Sequence, residues 1–137
     1  MKLRNYKSKL FLQPENNSNY NGEWIIQESP SGRLHQLWCQ VTDGVWIGYE
    51  NAGSRKNLGI DYASSNAGAA AIQANPSGAL NQDWIVVHHN GHPTTRFSLR
   101  NRNSGMCLGI HNASIDRFAW AAQFPCDGKL NQLWEHA

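Results

Sequence analysis

Charge is scarce in this chain. Asp, Glu, Lys and Arg make up only 16% of its 137 residues, too few to clothe long amphipathic helices. The formal net charge of +2 comes from scattered Lys and Arg with no basic run, which excludes nucleic acid as a partner. No apolar stretch approaches the length of a membrane-spanning helix, and "MKLRNYKSKL" lacks the unbroken apolar centre of an export signal. The expectation is a soluble chain, without membrane insertion, whose leader was removed or never present. Cysteine is also sparse: Cys39, Cys107 and Cys126 allow one bridge and one leftover thiol, or no bridge in a reducing compartment. Catalytic patterns are missing too. No Ser, His and carboxylate share a nucleophile context, no Gly-rich phosphate loop opens a helix, and no acid pair has reason to converge. The chain reads as no enzyme and as needing no cofactor.

What is present is turn chemistry. Gly, Asn and Ser are abundant, and short apolar stretches such as "VWIGY", "NLGI", "AAAI" and "DWIVV" alternate with turn-forming clusters. That pattern predicts an all-β domain of many short strands. Asp43-Gly44 and Asn90-Gly91 stand between such stretches, and both pairs favour the left-handed backbone of a tight hairpin. His88, His89 and His92 surround the second pair, but no nearby Cys or carboxylate completes a metal site, so a solvated turn is expected and no metal.

The chain also repeats itself. "LHQLWCQ", "LNQDWIV" and "LNQLWEH" begin at Leu34, Leu80 and Leu130. A shift of 46 residues carries Asn5, Leu12, Gln27, Gln36 and Trp38 onto Asn51, Leu58, Gln73, Gln82 and Trp84. A further 50 carries these onto Asn101, Leu108, Gln123, Gln132 and Trp134, and the four extra residues fall between Trp84 and Leu99, outside the repeated interior. Length and repetition together predict one domain over 1–137, with units of about 1–44, 45–92 and 93–137 and about four strands in each.

A unit of that size cannot bury enough apolar area to offset its chain entropy. Three around an axis can share a core and remove most sheet edges, so the last strand should pair with the start of the chain. Trp38, Trp84 and Trp134 are then equivalent core pieces, each burying roughly 150 to 250 Å². Gln36, Gln82 and Gln132 become buried amides bonded to main-chain groups, because an unpaired amide costs on the order of a few kcal/mol. Trp24 and Trp120 share a column and are expected in the core, whereas Trp46, beside Asp43-Gly44, is expected to be exposed. Cys39 falls where the other units hold Ile85 and Glu135 and is expected to be an unpaired thiol. "NNS" at Asn16 and "NAS" at Asn112 fit a glycosylation pattern that matters only on a eukaryotic secretory route.

These residues resemble the ricin B-type, or R-type, lectins, a family of sugar-binding modules marked by a threefold Gln-x-Trp repeat. The likeness runs from Leu3 to His136, and "SGMCLGI", "QFPCDG" and "LNQLW" follow the family's phrases in order. The resemblance implies a β-trefoil with pseudo-threefold symmetry: a six-stranded barrel capped by three hairpins, with one shallow sugar pocket possible per unit. It also implies a Cys107–Cys126 disulfide; Phe11 and Pro30, then Asn57 and Pro76, preclude its counterparts.

In such pockets an aromatic face packs on the apolar side of a pyranose, and a carboxylate with amides holds the hydroxyls. The family's Asp follows the Cys-Leu pair, a column that holds Gln13, Gly59 and Gly109 here. The stacking column holds Glu28, Ala74 and Phe124, and the amide column His35, Asn81 and Asn131. Two positions beyond the missing Asp stand Glu15, Asp61 and His111 as replacement groups. The favoured site is unit three, with Phe124, Asn131, Gln132, His111 and Asp116. Unit one follows with Gln13, Glu15, Tyr20 and His35, and unit two offers Asp61 and Asn81. Asn81 and Asn131 suit a turn cap as well as a sugar contact, and Phe124 suits packing beneath its own loop as well as stacking.

The implied function is a non-catalytic, carbohydrate-binding lectin module for a galactose-type sugar or a polysaccharide chain, monomeric or weakly oligomeric, and secreted or extracellular with a cytoplasmic home left open. Two alternatives stand beside it. One is a sugar-targeting domain excised from a glycoside hydrolase or toxin, to which the start near Leu3 and the stop after Trp134 are equally suited. The other is a protein-binding trefoil that has lost its sugar pockets.

Overall fold

The Asn that heads each repeat closes the first turn of its unit. Asn5 Oδ1 accepts the backbone N–H groups of Lys7 and Ser8, Asn51 those of Gly53 and Ser54, and Asn101 those of Asn103 and Ser104. Satisfying two backbone donors with one short side chain is what suits Asn to such turns. The Nδ2 of each then donates to the preceding unit, at the carbonyls of Asn131, His35 and Asn81 respectively, each at 2.9 Å. One residue type thus shapes the turn and sews neighbouring units together.

The computed structural model describes residues 1–137 and contains twelve strands. They are β1 (Leu3–Asn5), β2 (Phe11–Pro14), β3 (Ile25–Glu28), β4 (Trp38–Asp43), β5 (Trp46–Asn51) and β6 (Asn57–Ile60). Then follow β7 (Ala71–Ala74), β8 (Trp84–His88), β9 (Phe97–Asn101), β10 (Cys107–Ile110), β11 (Ala121–Phe124) and β12 (Trp134–His136). Antiparallel pairing runs β4–β5–β8–β9–β12–β1. Met1 and Trp38 then exchange backbone bonds of 2.7 and 3.2 Å, which returns β4 to the head of the chain and closes six strands into a barrel. The other six form three hairpins, β2–β3, β6–β7 and β10–β11. These meet across one end through the bridges Trp24–Ile72, Ala70–Ala122 and Ile26–Trp120. The fold is an all-β trefoil, and the end of the chain pairs with its beginning as the repeat requires.

Inside, Trp38, Trp84 and Trp134 are fully buried. Their indole N–H groups donate to the carbonyls of Leu12, Leu58 and Leu108 at 3.1, 3.1 and 2.9 Å, so none of the three buried indole donors is orphaned. A second set of buried amides stitches the hairpin end. Gln27 Nε2 donates to the carbonyls of Ser114 and Asp116, Gln73 to those of Ser18 and Tyr20, and Gln123 to those of Ser64 and Asn66. Both ends of each unit therefore grip the unit before it.

Four local expectations need correcting. The tight turn between β4 and β5 is Gly44–Val45, because Asp43 still pairs with Trp46 and Gly44 takes the left-handed position at φ 63°. Asn90-Gly91 lies within the 89–96 loop between β8 and β9, the loop that absorbs the four extra residues, and does not form a two-residue hairpin. Trp24 is 41% exposed and Trp120 only half-buried. Their column has Ala70 as its third member, too small to cover the two indoles, which lean on each other at 5.3 Å. Trp46 is half-buried, roofed by the Arg102 guanidinium at 4.8 Å, itself held by Asp83. Cys39 is exposed and unpaired. Of the histidines, His89 bonds Ser98 Oγ at 2.6 Å and His92 meets Arg96 at 3.3 Å.

Candidate functional site

In unit three, β10 ends at Ile110 and the chain reverses through His111–Ala113, where Asn112 and Ala113 are both left-handed at φ 55° and 50°. β11 ends at Phe124, and Leu130–Gln132 form the turn before β12. Between these pieces lies an open pocket of about 420 Å³, lined by Asn112, Phe124, Asp127, Lys129, Asn131 and Gln132 among others. Phe124 is half-buried at its edge. Asn131 is buried; its Nδ2 reaches the Ile110 carbonyl at 3.4 Å, and its Oδ1 has no bond within the chain. Gln132 lines the pocket but binds its wall, donating to the Pro125 carbonyl at 3.0 Å and accepting from the Asp127 N–H at 3.1 Å. The Cys107–Cys126 disulfide, with Cα atoms 5.0 Å apart, ties that wall to β10.

Gly109 sits in a tight place. A Cβ there would lie 3.1 Å from Gln132 Cγ and 3.2 Å from both Asn131 Nδ2 and Phe124 Cδ2. The space beside β10 is already filled by the groups that face the pocket. Gly59 is crowded in the same way by Asn81 and Gln82.

His111 and Asp116 are not brought to Phe124. They line a separate cleft of about 710 Å³ on the far side of the 111–113 turn, with Lys7, Phe118 and Trp120. There the His111 ring stacks on Trp120 at 4.0 Å.

Unit one does not assemble its set. Gln13 lines a small polar pocket of about 250 Å³, but its Oε1 accepts from Gln36 Nε2 at 2.9 Å. Glu28 enters the same pocket paired with Arg117 from unit three, and that guanidinium holds its carboxyl below the usual carboxylate range. The ion pair crowds the place a ligand would take. Glu15 and Tyr20 project into solvent elsewhere. His35 lies over Gly53 and bonds Asn19 Oδ1 at 2.8 Å, and loss of hydration pushes its pKa down. Unit two has no concavity. Asn81 donates to the Ile60 carbonyl at 3.0 Å, Ala74 replaces the aromatic, and Asp61 stands at the head of an exposed turn.

Sequence reasoning passed over Asp127, Lys129, Arg117 and Phe118. For Phe118 a signal existed, since its column holds Gly22 and Gly68. Asp127 and Lys129 have no such mark; only the path of the 125–129 segment brings them to the pocket.

A family model described as a ricin-type β-trefoil lectin domain-like domain matches residues 40–114 and again 80–136. The chain belongs to that family. Among solved structures, the ricin-type trefoil here is similar to a designed threefold-symmetric protein, ThreeFoil, at 33% identity and a TM-score of 0.92, over 98% of this chain and 94% of that one. It is also similar to the exo-β-1,3-galactanase 1,3Gal43A of Clostridium thermocellum, at 25% identity and a TM-score of 0.91. The match takes in 98% of this chain but only 29% of the galactanase. The Macrolepiota procera ricin B-like lectin, solved with lactose, shares the fold at 16% identity and a TM-score of 0.84, over 98% of this chain and 91% of that one. No curated protein sequence matches the chain.

Within the ricin-type family plan, the three units here have diverged in kind. One keeps an aromatic beside a buried amide, one has an ion pair standing in its small pocket, and one has Ala74 in place of the aromatic.

Proposed function

We propose that this chain is a single non-catalytic carbohydrate-binding module, a lectin, whose working pocket is that of unit three. The observation that carries the reading is Phe124 at the edge of an open pocket that also holds Asn131 with a free Oδ1, Asp127 and Lys129. That combination suits a pyranose: an aromatic ring for its C–H face, and an amide acceptor, a carboxylate and an ammonium donor around it for its hydroxyls. Asp127 takes over the role of the carboxylate that Gly109 cannot supply. A galactose-type sugar is the first ligand to try, and the disulfide suits a site of action outside the cell.

A second reading, an appended targeting domain, is favoured by the similarity to a segment of a galactan-cleaving enzyme. Both readings require sugar binding. The test is a broad glycan array probed with the wild type and with Phe124→Ala. Binding of at least one sugar class, weakened about tenfold or more by the substitution, supports the reading; a tenfold loss corresponds to about 1.4 kcal/mol. Silence of the wild type across the array ends it in favour of a protein-binding trefoil. Agglutination inhibited by a free monosaccharide favours an independent lectin, and binding to insoluble polysaccharide without agglutination favours the appended module.

A further inference from the structure

We infer that Phe118 is a second aromatic platform, and that the cleft it lines extends the Phe124 pocket into a site for an oligosaccharide several units long. The inference rests on the lectin reading above and deepens it.

The backbone at this position obeys the threefold plan. Gly22, Gly68 and Phe118 each donate their N–H to the carbonyl of a cap glutamine, at 2.7, 2.7 and 2.8 Å, and each has positive φ, at 87°, 85° and 73°. Glycine adopts that conformation freely, and L side chains rarely do. Neither glycine is there for lack of room, since a Cβ on Gly22 or Gly68 would meet nothing within 4 Å. Unit three nevertheless holds a bulky aromatic in the strained conformation. The ring does not repay this by joining the core: it is 59% exposed, under the guanidinium of its neighbour Arg117 at 4.9 Å. Strain of that kind, in an exposed aromatic that also lines a cleft, points to a role outside the fold.

The surroundings of Phe118 give that role a chemistry. Its cleft, about 710 Å³, has Trp120 as a second aromatic surface, steadied by His111 on one side and Trp24 on another. Asp116, Asn112 and Lys7 supply hydroxyl-binding groups around these rings. The cleft also shares Asn112 and Ala113 with the Phe124 pocket, and a smaller concavity bridges them through Lys7, Lys129 and Asn131. Aromatic faces interleaved with amides, a carboxylate and a cation on the two sides of the Asn112–Ala113 turn fit a chain of pyranoses that crosses it. The combined space exceeds what one sugar ring fills.

The test measures wild type, Phe118→Gly and Tyr62→Asn against β-linked galacto-, gluco-, manno- and xylo-oligosaccharides of one to six units. Tyr62 is also exposed and left-handed, at φ 55°, but lines no concavity, so its change to the Asn of its column is the control. The wild type should bind one series more tightly as the chain lengthens. Phe118→Gly should melt at a higher temperature, keep its affinity for the single sugar, and lose about tenfold for the longest chain. Tyr62→Asn should keep the full dependence on length. A wild type that binds single sugars and long chains equally overturns the inference and leaves the lectin reading standing. So does a Phe118→Gly that retains the length dependence, or a Tyr62→Asn that loses it. A wild type that binds none of the four series overturns the inference, and the glycan array alone then decides the lectin reading.

Discussion

Buried amides carry much of the specificity of this fold, and the threefold plan supplies its own controls for weighing them. Gln27, Gln73 and Gln123 occupy one column and donate the same pair of bonds from Nε2. They differ at the other end. Gln27 and Gln123 each accept a 2.7 Å bond from Ser8 or Ser104 Oγ, whereas Gln73 Oε1 is buried without a partner. A buried acceptor lacking its bond has lost its hydration for nothing, so truncating that side chain forfeits less. Gln27→Ala should therefore destabilise the protein by about 1 kcal/mol more than Gln73→Ala, since a net hydrogen bond contributes about that much. Parallel urea unfolding of the two variants measures the difference, and equal losses would refute this account of the column. The structural glutamines and tryptophans were legible in the sequence because a large polar-ended side chain at a fixed offset in three units has one burial solution. The absent carboxylate was legible only as an absence. What stands there instead, a Gly109 hemmed in by Phe124, Asn131 and Gln132, depends on contacts between residues far apart in the chain.

At the scale of elements, β10–β11 is the hairpin that differs from its two counterparts, because Cys107–Cys126 fastens its open end. The fastening acts on the pocket as well as on stability. Phe124 ends β11, and the segment from Pro125 to Asp127 that follows is held between the disulfide and the two bonds of Gln132. The bridge spans 19 residues, so the chain-entropy model assigns it about 3 kcal/mol. Replacing both cysteines by Ser should lower stability by about that amount in urea unfolding. Sugar affinity should fall with it, measured at a temperature where the variant is still folded, because Phe124 and Asp127 lose a fixed wall. A variant that loses stability but binds sugar undiminished would show that Gln132 alone holds the wall. The number of strands per unit and the place of the insertion were legible from spacing. The 89–96 loop was not, because Asn90-Gly91 favours a left-handed turn whether the strands close at once or several residues later. Nor was the split between Phe124 and His111, since two consecutive left-handed residues, Asn112 and Ala113, turn the chain and send its neighbours to opposite sides.

The whole molecule is a ring, and a ring has one seam where its ends meet. Spacing alone foretold closure, because three equivalent units around an axis share a core that none of them could bury alone. It could not foretell which indoles the ring would cover: Trp24 and Trp120 stay open because the third seat of their column is Ala70, while Trp46 is roofed by a distant arginine. The seam lies where β12 pairs with β1; Arg4 and Glu135 form an ion pair across it, and His136, opposite Leu3, is exposed at its edge but turns its ring inward. Its ring rests on Phe97 at 4.7 Å and its Nε2 meets the Tyr49 hydroxyl at 2.9 Å. Burial pushes Tyr49 up to about 12, so that hydroxyl stays neutral and offers no counter-charge. Burial first, and the nearby N-terminal ammonium second, push the His136 pKa below its ordinary 6.5. In the unfolded chain His136 titrates at that ordinary value, so between the two values the unfolded state binds more protons than the folded one. Stability must then rise with pH across that window. The contribution is complete above about pH 6.5 and is withdrawn as the pH falls below it, the reverse of a histidine that gains an anionic partner. His35, also lowered by burial, adds a slope of the same sign and must be kept constant in the comparison. His136→Gln, which keeps a polar group near Tyr49 but cannot charge, should show a shallower fall in melting temperature between pH 7 and pH 5 than the wild type. Identical slopes for the two proteins would mean that the seam tolerates a charged imidazole, and that acid loosens the trefoil somewhere other than at the closure of its ring.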